Sequence, residues 1–367
     1  MPILKKIVVQ DFRNIELQEV EFSPNINCIS GGNGEGKTNL LDAIWYLSMT
    51  KSAIASSDQF LYRYGGNRTF AISGQYEMQN GLLSRFSIQS SAEGKKLRRD
   101  EKAYTRISDH IGVLPIVMVS PSDTAMVSES GEERRRFANM VLSQMDAEYL
   151  AAIQQYNKVL MQRNRMLREG MTDDGLLSTF DMQLARFAEP VFRKREEFCE
   201  DLSPIVNEYY SAISGGKETV GIEYRSDLHK APLEEILKEN RDKDSALKYT
   251  LSGIQRDDFI FTMNGHPIRR SGSQGQQKSF LVALKFAEYD LMKKTYGFSP
   301  IMLLDDLFDK LDTGRVSNLL KMVAGKDFGQ IFLTDSNKTR IRSIVDSITA
   351  DRAYFETEGG VFNRIDE

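Results

Sequence analysis

The chain has 367 residues, 41% of them hydrophobic and 27% charged, which is enough to bury a core in two domains or in one domain with a large insertion. The formal net charge of −4 excludes nucleic-acid binding through bulk positive charge, so any such binding needs a local basic patch. No stretch approaches the ~18 apolar residues of a membrane helix, and the N-terminus has no apolar run of signal-peptide length. The two cysteines, Cys28 and Cys199, match neither a metal site nor a disulfide framework. A soluble, cytoplasmic protein is expected.

The first part of the chain alternates short strands with turn signals. Strands are predicted over Ile7–Val9, Asn25–Ser30, Thr69–Tyr76 and Leu114–Ser120. A helix follows the second of these strands, because apolar residues recur at three- and four-residue spacing over 40–47.

A highly charged, helical pattern extends from Glu132 to about Tyr210. Glycines and acids interrupt it at Arg168–Gly175, so two antiparallel helices joined by a short turn are predicted. In the first helix, residues recur at three- and four-residue steps: Leu150, Ile153, Tyr156, Asn157, Leu160 and Asn164.

Strand and turn signals return at about Gly253. The predicted elements are a strand at Phe259–Met263, a turn at Asn264–Gly265, a helix from about Ser273 to Lys294, and strands at Ser299–Asp306 and Gln330–Ser336. Buried apolar strands that alternate with helices predict a mainly parallel α/β sheet. We therefore expect one α/β domain in two parts, 1–125 and 251–367, interrupted by a helical insertion at 126–250.

Residues Gly31–Thr38 fit the phosphate-loop pattern G-x-x-x-x-G-K-[ST] and lie between an apolar strand and a helix, as such a site requires. Its glycines let the backbone turn and expose N–H groups to phosphate oxygens. Lys37 is expected to reach the β and γ phosphates, and Thr38 to offer its hydroxyl to Mg²⁺. The predicted nucleotide-binding residues are Gly31, Gly32, Asn33, Gly34, Glu35, Gly36, Lys37 and Thr38.

The stretch "IMLLDDLFDKLD" (Ile301–Asp312) begins as a core strand and ends in acids. Asp305 is the predicted magnesium carboxylate, since Mg²⁺ in nucleotide sites prefers oxygen ligands from one or two carboxylates and phosphates. Asp306, one residue on, is placed to orient or deprotonate the attacking water. Taken alone, the two acids could simply be a solvated strand end.

A polar turn that contains Gly272, Ser273 and Gly275 precedes a helix and is a second potential anion site. One protein needs only one phosphate cradle, so the second turn suggests phosphate contacts made to another molecule. A serine that simply caps its own helix remains the alternative.

The order of these motifs resembles the head of an ABC-type ATPase: a phosphate loop, "SGSQGQ", "LLDD" and "KLD". The turn resembles the ABC signature, and Lys310–Asp312 resembles the D-loop. Nearly the whole chain, including the helical insertion, is similar to the RecF branch of the SMC-like ATPases. That similarity is carried by four stretches, Val8–Ser48, Gly131–Asn164, Gly253–Phe261 and Gly272–Ser279.

The resemblance implies roles for individual residues. Asp305 would bind magnesium, and Asp306 would be the hydrolytic acid, where many ABC-type ATPases have glutamate. Ser273 and Gly275 would contact the γ-phosphate held by a partner subunit, and Asp312 would lie across the dimer interface.

The chain also departs from the pattern. Thr334 and Asp335 stand where ABC-type ATPases carry a switch histidine, and Ile254 and Gln255 replace a more usual Pro-His pair.

The function implied by the resemblance is that of an ATP-gated DNA clamp in recombinational repair and replication restart. Its cofactors would be ATP and Mg²⁺. It would form a homodimer that depends on ATP, and its ATPase activity would be weak and stimulated by DNA. It would bind double-stranded DNA at gaps and single-strand/duplex junctions, and help the RecO and RecR partners load recombinase. The alternative is another P-loop ATPase, such as an ABC-type transport motor subunit or a small-molecule kinase.

Three basic clusters are candidates for contacts to DNA phosphates: Lys95, Lys96, Arg98 and Arg99; Arg134–Arg136; and Arg163, Arg165 and Arg168. Each could instead be a solvated face, and arginines of the second cluster could pair with the neighbouring Glu132 and Glu133. No zinc-finger, RRM or helix-turn-helix pattern is found, so we expect recognition of backbone and shape with strong salt dependence.

Overall fold

The computed structural model describes residues 1–170, 173–306, 328–337, 342, 345–346 and 349–365. The chain divides into two units. Unit 1 contains Met1–Asp123, Tyr209–Gly216 and Gln274–Glu367, and unit 2 contains Thr124–Glu208 and Lys217–Ser273.

The strands and helices are numbered in chain order. The strands are β1 (Ile3–Phe12), β2 (Ile15–Glu21), β3 (Ile26–Ser30), β4 (Thr69–Glu77), β5 (Leu83–Ser91), β6 (Gly94–Arg99), β7 (Lys102–Ala103), β8 (Ile116–Val119), β9 (Val220–Arg225), β10 (Asp258–Met263), β11 (His266–Pro267), β12 (Ile301–Leu304), β13 (Ile331–Asp335), β14 (Arg352–Glu358) and β15 (Val361–Arg364). The helices are α1 (Lys37–Met49), α2 (Ala125–Ser128), α3 (Gly131–Met145), α4 (Ala147–Arg168), α5 (Asp174–Ser214), α6 (Leu233–Glu239), α7 (Arg241–Leu247), α8 (Ile268–Ser271) and α9 (Gln274–Tyr296).

A mixed sheet in unit 1 has the strand order β15-β14-β3-β13-β12-β8. The pairings from β14 to β8 are parallel, and every residue of β3, β8, β12 and β13 is buried. Such continuous apolar runs are typical of parallel strands covered on both faces. The predicted α/β fold is confirmed.

A second sheet in unit 1 is antiparallel, with the order β2-β1-β4-β5-β6-β7. The prediction of a mainly parallel sheet did not include it. Residues of β4 and β5 alternate between buried and more accessible positions, because one face packs on the core and the other meets solvent.

Unit 2 contains α3, α4, most of α5, and a sheet of order β11-β10-β9. Helix α4 ends at Arg168 and α5 begins at Asp174, which agrees with the predicted break between two helices. The predicted insertion ended at residue 250, whereas unit 2 extends to Ser273. The reason is that β10 pairs along its whole length with β9, so 251–273 folds with the helices.

No described helix is both long and apolar enough to span a bilayer. Cys28 and Cys199 are both free and buried.

Candidate nucleotide-binding site

The strand order of the mixed sheet brings the predicted site residues together. Strands β3, β13 and β12 are parallel neighbours, with Asp335 opposite Ser30 and Leu304 opposite Leu333. The carboxyl ends of these strands therefore meet at one edge of the sheet, where ligands bind in open α/β folds. Gly31 follows β3, and Asp305 follows β12 at this edge.

Two glycines of the phosphate loop are required by its geometry. Gly36 directly precedes α1 and has a φ of +108°. A Cβ at this position would lie 2.8 Å from Nδ2, the side-chain amide nitrogen of Asn14. A Cβ on Gly31 would lie 2.6 Å from the carbonyl oxygen of Thr357. Larger residues would therefore push the loop away from β14 or strain its turn into α1.

The side chain of Lys37 forms hydrogen bonds with the backbone of the phosphate loop. Its side chain is buried, with the residue 4% exposed, and Nζ donates hydrogen bonds of 2.9 Å to the carbonyl oxygens of both Gly31 and Gly32. This places an ammonium group under a loop whose tip, 32–34, is exposed. Such a cation can exchange the two carbonyls for phosphate oxygens, which are stronger, charged acceptors.

Asp305 lies between two threonine hydroxyls. Thr38 Oγ1 donates to Oδ2 at 2.9 Å, and Thr334 Oγ1 donates to Oδ1 at 2.7 Å. Burial raises the pKa of the Asp305 carboxyl, and the hydroxyl hydrogen bonds oppose that rise. A carboxylate and a hydroxyl at the start of α1 are oxygen ligands of the kind Mg²⁺ prefers, so the residues fit the predicted magnesium site.

Asp306 has a backbone conformation that few non-glycine residues adopt. Its φ is +43°, in the left-handed region. Its amide N–H donates to Thr334 Oγ1 at 3.0 Å. The two acids predicted for metal binding and water activation are thus both tied to one threonine.

The chain near β14 supports the phosphate loop from the side. Thr357 Oγ1 and the Gly360 amide both donate to the Glu35 carbonyl, at 3.1 and 2.9 Å, and the Gly359 amide donates to the Glu35 carboxylate. Sequence analysis missed this support, and its one local signal is the Gly359–Gly360 turn after β14.

The predicted signature residues lie at the start of α9. Ser273 is exposed and directly precedes this helix, and Gly275 lies in its first turn. The chain passes from unit 2 to unit 1 between Ser273 and Gln274. The predicted D-loop, Lys310–Asp312, lies outside the described residues, and Asp312 is therefore not assigned a position.

Comparison with known proteins identifies the family. The model of the RecF/RecN/SMC N terminal domain matches residues 3–352. A protein from Bacteroides fragilis named DNA replication and repair protein RecF is 44% identical over 100% of this chain and 99% of its own length. The chain belongs to the RecF family. A Porphyromonas gingivalis protein of the same name is 40% identical over 98% of this chain and 99% of its own length.

Solved structures show the same relationship. The recombination mediator protein RecF in a structure with ATP, described as part of the RecFOR pathway, has a TM-score of 0.90 and 27% identity, covering 100% of this chain and 98% of that one. An Smc head domain from Pyrococcus furiosus, with a TM-score of 0.58 and 15% identity, shares the fold alone. The predicted family and its ABC-type head are confirmed, and membership of the RecF family makes this a DNA replication and repair protein.

A second polar network, also missed from sequence, surrounds α1. Arg13 donates through Nη2 to the buried Asp42 carboxylate at 3.0 Å and through Nη1 to Asn39 at 3.3 Å. Asn39 in turn donates to Asn14 at 2.7 Å. Burial raises the pKa of Asp42, and hydrogen bonds from Ser52 and Arg13 oppose the rise. The turn after β1 is thereby attached to the helix that follows the phosphate loop.

Arg163 of the third basic cluster is not a surface residue. It is fully buried and pairs with Asp181 at 2.9 Å and Asp244 at 2.7 Å. The prediction that Arg163 contacts DNA is therefore wrong, because the side chain neutralises acids inside unit 2. Arg165 and Arg168 are exposed.

The second cluster is largely structural. Arg134 makes a two-point contact with the Asp258 carboxylate, at 2.8 and 3.0 Å, and Arg135 donates to the Asp257 carbonyl at 2.7 Å. Arg136 pairs with Glu133 at 3.1 Å, one of the two acids expected from sequence.

Proposed function

We propose that this protein binds ATP and Mg²⁺ at the phosphate loop and uses ATP to control its hold on DNA during recombinational repair and replication restart. The observation that carries the proposal is the convergence of Lys37, Thr38 and Asp305 at one sheet edge. A structure of the recombination mediator protein RecF with ATP, which has the same fold over the full chain, supports it.

Each residue of the site has a proposed task. Residues 31–36 offer backbone N–H groups to the phosphates, and Lys37 turns its ammonium from the loop carbonyls to the β and γ phosphates. Thr38 and Asp305 would hold Mg²⁺, which supplies charge neutralisation at the phosphates. Asp306 orients the attacking water and accepts its proton. We expect the resulting ATPase to be weak and stimulated by DNA.

ATP is proposed to act first as a bridge between two copies of the chain. Ser273 and Gly275 of one subunit would contact the γ-phosphate held by the other, and Asp312 would lie across that interface. The exposure of Ser273 at the start of the 23-residue helix α9 supports this assignment. Because the nucleotide contributes contacts only in the dimer, its binding favours that state.

The dimer is tested by measuring mass in solution with and without ATP. We expect ATP to double the mass of the wild-type protein, and Ser273→Arg to abolish that change because its bulk and charge block the contact. Ser56→Arg introduces the same group at an exposed serine of unit 1 and should dimerise normally. If Ser273→Arg still dimerises with ATP, the bridging role is refuted.

DNA is the proposed macromolecular ligand, as double-stranded DNA and single-strand/duplex junctions. The exposed part of the first basic cluster is the favoured contact surface. Lys96 and Arg98 of β6 share a solvent face with Gln89 and Ser87 of β5, while Leu97 between them is buried. Lys95 instead donates to Thr50 and pairs with Asp58 inside unit 1.

Charge reversal tests this surface. We expect Lys96→Glu/Arg98→Glu to weaken duplex binding about tenfold and to reduce the slope of log K against log salt by about 2, because two phosphate contacts are lost. Arg165→Glu/Arg168→Glu makes the same charge change on exposed residues of α4 and is the control. If only Arg165→Glu/Arg168→Glu weakens duplex binding, the DNA-binding surface lies on unit 2 and the proposed surface on β6 is refuted.

We further propose that the protein assists RecO and RecR in loading recombinase at such junctions. Family membership does not favour the alternative of a transport motor subunit or small-molecule kinase.

A further inference from the structure

Strand β13 ends in Thr334 and Asp335. The sequence resemblance places these residues where ABC-type ATPases carry a switch histidine. Threonine has no imidazole with which to contact a phosphate or a water molecule. Resting on the proposed ATPase function, we propose that Thr334 is a positioning residue, whose hydroxyl sets the geometry of Asp305 and Asp306 together.

The hydroxyl of Thr334 makes two hydrogen bonds of opposite sense. It donates its proton to Asp305 Oδ1 at 2.7 Å and accepts the amide N–H of Asp306 at 3.0 Å. A hydroxyl has one donor and two acceptor positions, so one threonine can serve both acids at once. Thr334 is 0% exposed, and water does not compete for either bond.

The bond to Asp305 fixes the rotation of its carboxylate. Thr334 donates to Oδ1 at 2.7 Å, and the Thr38 hydroxyl lies within hydrogen-bond distance of both oxygens, at 3.0 Å from Oδ1 and 2.9 Å from Oδ2. The carboxylate is thus oriented before any cation arrives, and preorganised ligands lose less freedom on binding.

The hydrogen bond between the Thr334 hydroxyl and the Asp306 amide holds the backbone of Asp306. Asp306 leaves the strand with φ of +43°, a region disfavoured for residues with a Cβ. Its amide donates to the Thr334 hydroxyl at 3.0 Å. This contact supports the left-handed backbone conformation of Asp306. In this chain the residue at the switch position therefore acts through the two acids.

Two substitutions separate the hydroxyl from the volume of the side chain. Thr334→Val keeps the shape and removes the hydroxyl, whereas Thr334→Ser keeps the hydroxyl. Thr262→Val, in β10 of unit 2, is a matched substitution at a buried threonine away from the site. Two readouts are needed: steady-state ATP hydrolysis, and the Mg²⁺ concentration that gives half-maximal binding of a fluorescent ATP analogue that is not hydrolysed.

We expect Thr334→Val to lower kcat by about ten- to a hundredfold, the range for hydrogen bonds to charged groups. The KM for ATP should stay within about twofold, since Lys37 and the loop are untouched. The Mg²⁺ requirement for binding should rise severalfold, because the Asp305 carboxylate is no longer fixed. Thr334→Ser should restore both values, and Thr262→Val should change neither.

The inference is overturned if Thr334→Val hydrolyses ATP with the wild-type kcat and Mg²⁺ requirement. It is equally overturned if Thr334→Ser fails as badly as Thr334→Val, because the loss in Thr334→Val could then not be assigned to the missing hydroxyl. A wild-type protein that neither binds nor hydrolyses ATP would instead refute the proposed function itself.

Discussion

Replacing Lys37 with methionine is expected to remove nucleotide binding and, with it, ATP-dependent dimerisation. The ammonium is the one buried cation at the phosphate loop among the described residues, and it already makes two hydrogen bonds there. Bonds from a cation to phosphate oxygens contribute about 1.5–3 kcal/mol each. The loss therefore lowers affinity for ATP by at least about tenfold. Titration with a fluorescent ATP analogue and mass measurement with ATP both report it.

The fold of this variant must be checked, because the Gly31 and Gly32 carbonyls lose their donor. A cost of about 1–3 kcal/mol is expected, because the buried Gly31 carbonyl loses this hydrogen bond. Lys158→Met, on the exposed side of α4, is the matched control and should bind ATP and dimerise as the wild type does. Unchanged dimerisation by a folded Lys37→Met protein would contradict the assigned role.

Replacing Arg163 with methionine is expected to destabilise the protein by about 3–5 kcal/mol, the usual cost of breaking a buried ion pair from one side. Asp181 and Asp244 are buried on either side of the guanidinium, and Arg241 would remain to neutralise Asp181 alone. Urea unfolding followed by circular dichroism measures the loss. Arg165→Met removes an arginine whose side chain is 76% exposed and should change stability by less than about 1 kcal/mol.

The effect of Arg163→Met should depend on pH in a defined direction. Burial raises the pKa of Asp244 even in the wild type, where Arg163 opposes the rise. Without Arg163 this pKa rises further, so the folded state binds the proton more tightly than the unfolded state. Stability then falls as pH rises through the folded pKa, and the deficit of the variant shrinks as the pH is lowered from neutral through that pKa towards the ordinary pKa of an aspartate. Equal stability of Arg163→Met and Arg165→Met at pH 7 would contradict the buried network.

The parts of the site that could be predicted are those that depend on residues close together in the sequence. The phosphate loop, the β12 strand with Asp305, and the start of α9 each depend on residues within about twenty positions, where spacing and turn chemistry are informative. The support of Glu35 by Thr357 could not be predicted in this way. Those residues lie 322 positions apart, and only the pairing of β14 with β3 brings them together.

The error at Arg163 has a different cause. The recurring residues that predicted helix α4 include Asn157 and Leu160, and neither is buried. The buried residues of α4 are Tyr149, Ile153, Tyr156, Val159, Arg163, Met166 and Leu167. Arg163 follows Tyr156 by seven positions and Val159 by four, so a correctly placed face would have marked it as buried. Its partner Asp244, 81 residues away, could not have been found from spacing.

The position of β3 in the mixed sheet has a consequence for how the protein is made. Both neighbours of β3, β13 and β14, lie after residue 330, whereas the phosphate loop follows β3 directly. During synthesis the loop emerges early but stays without its flanking strands until the rest of unit 1 has been translated. Such long-range pairing is slow to form. We therefore expect the proposed nucleotide site to form late, when the folding of this sheet is completed.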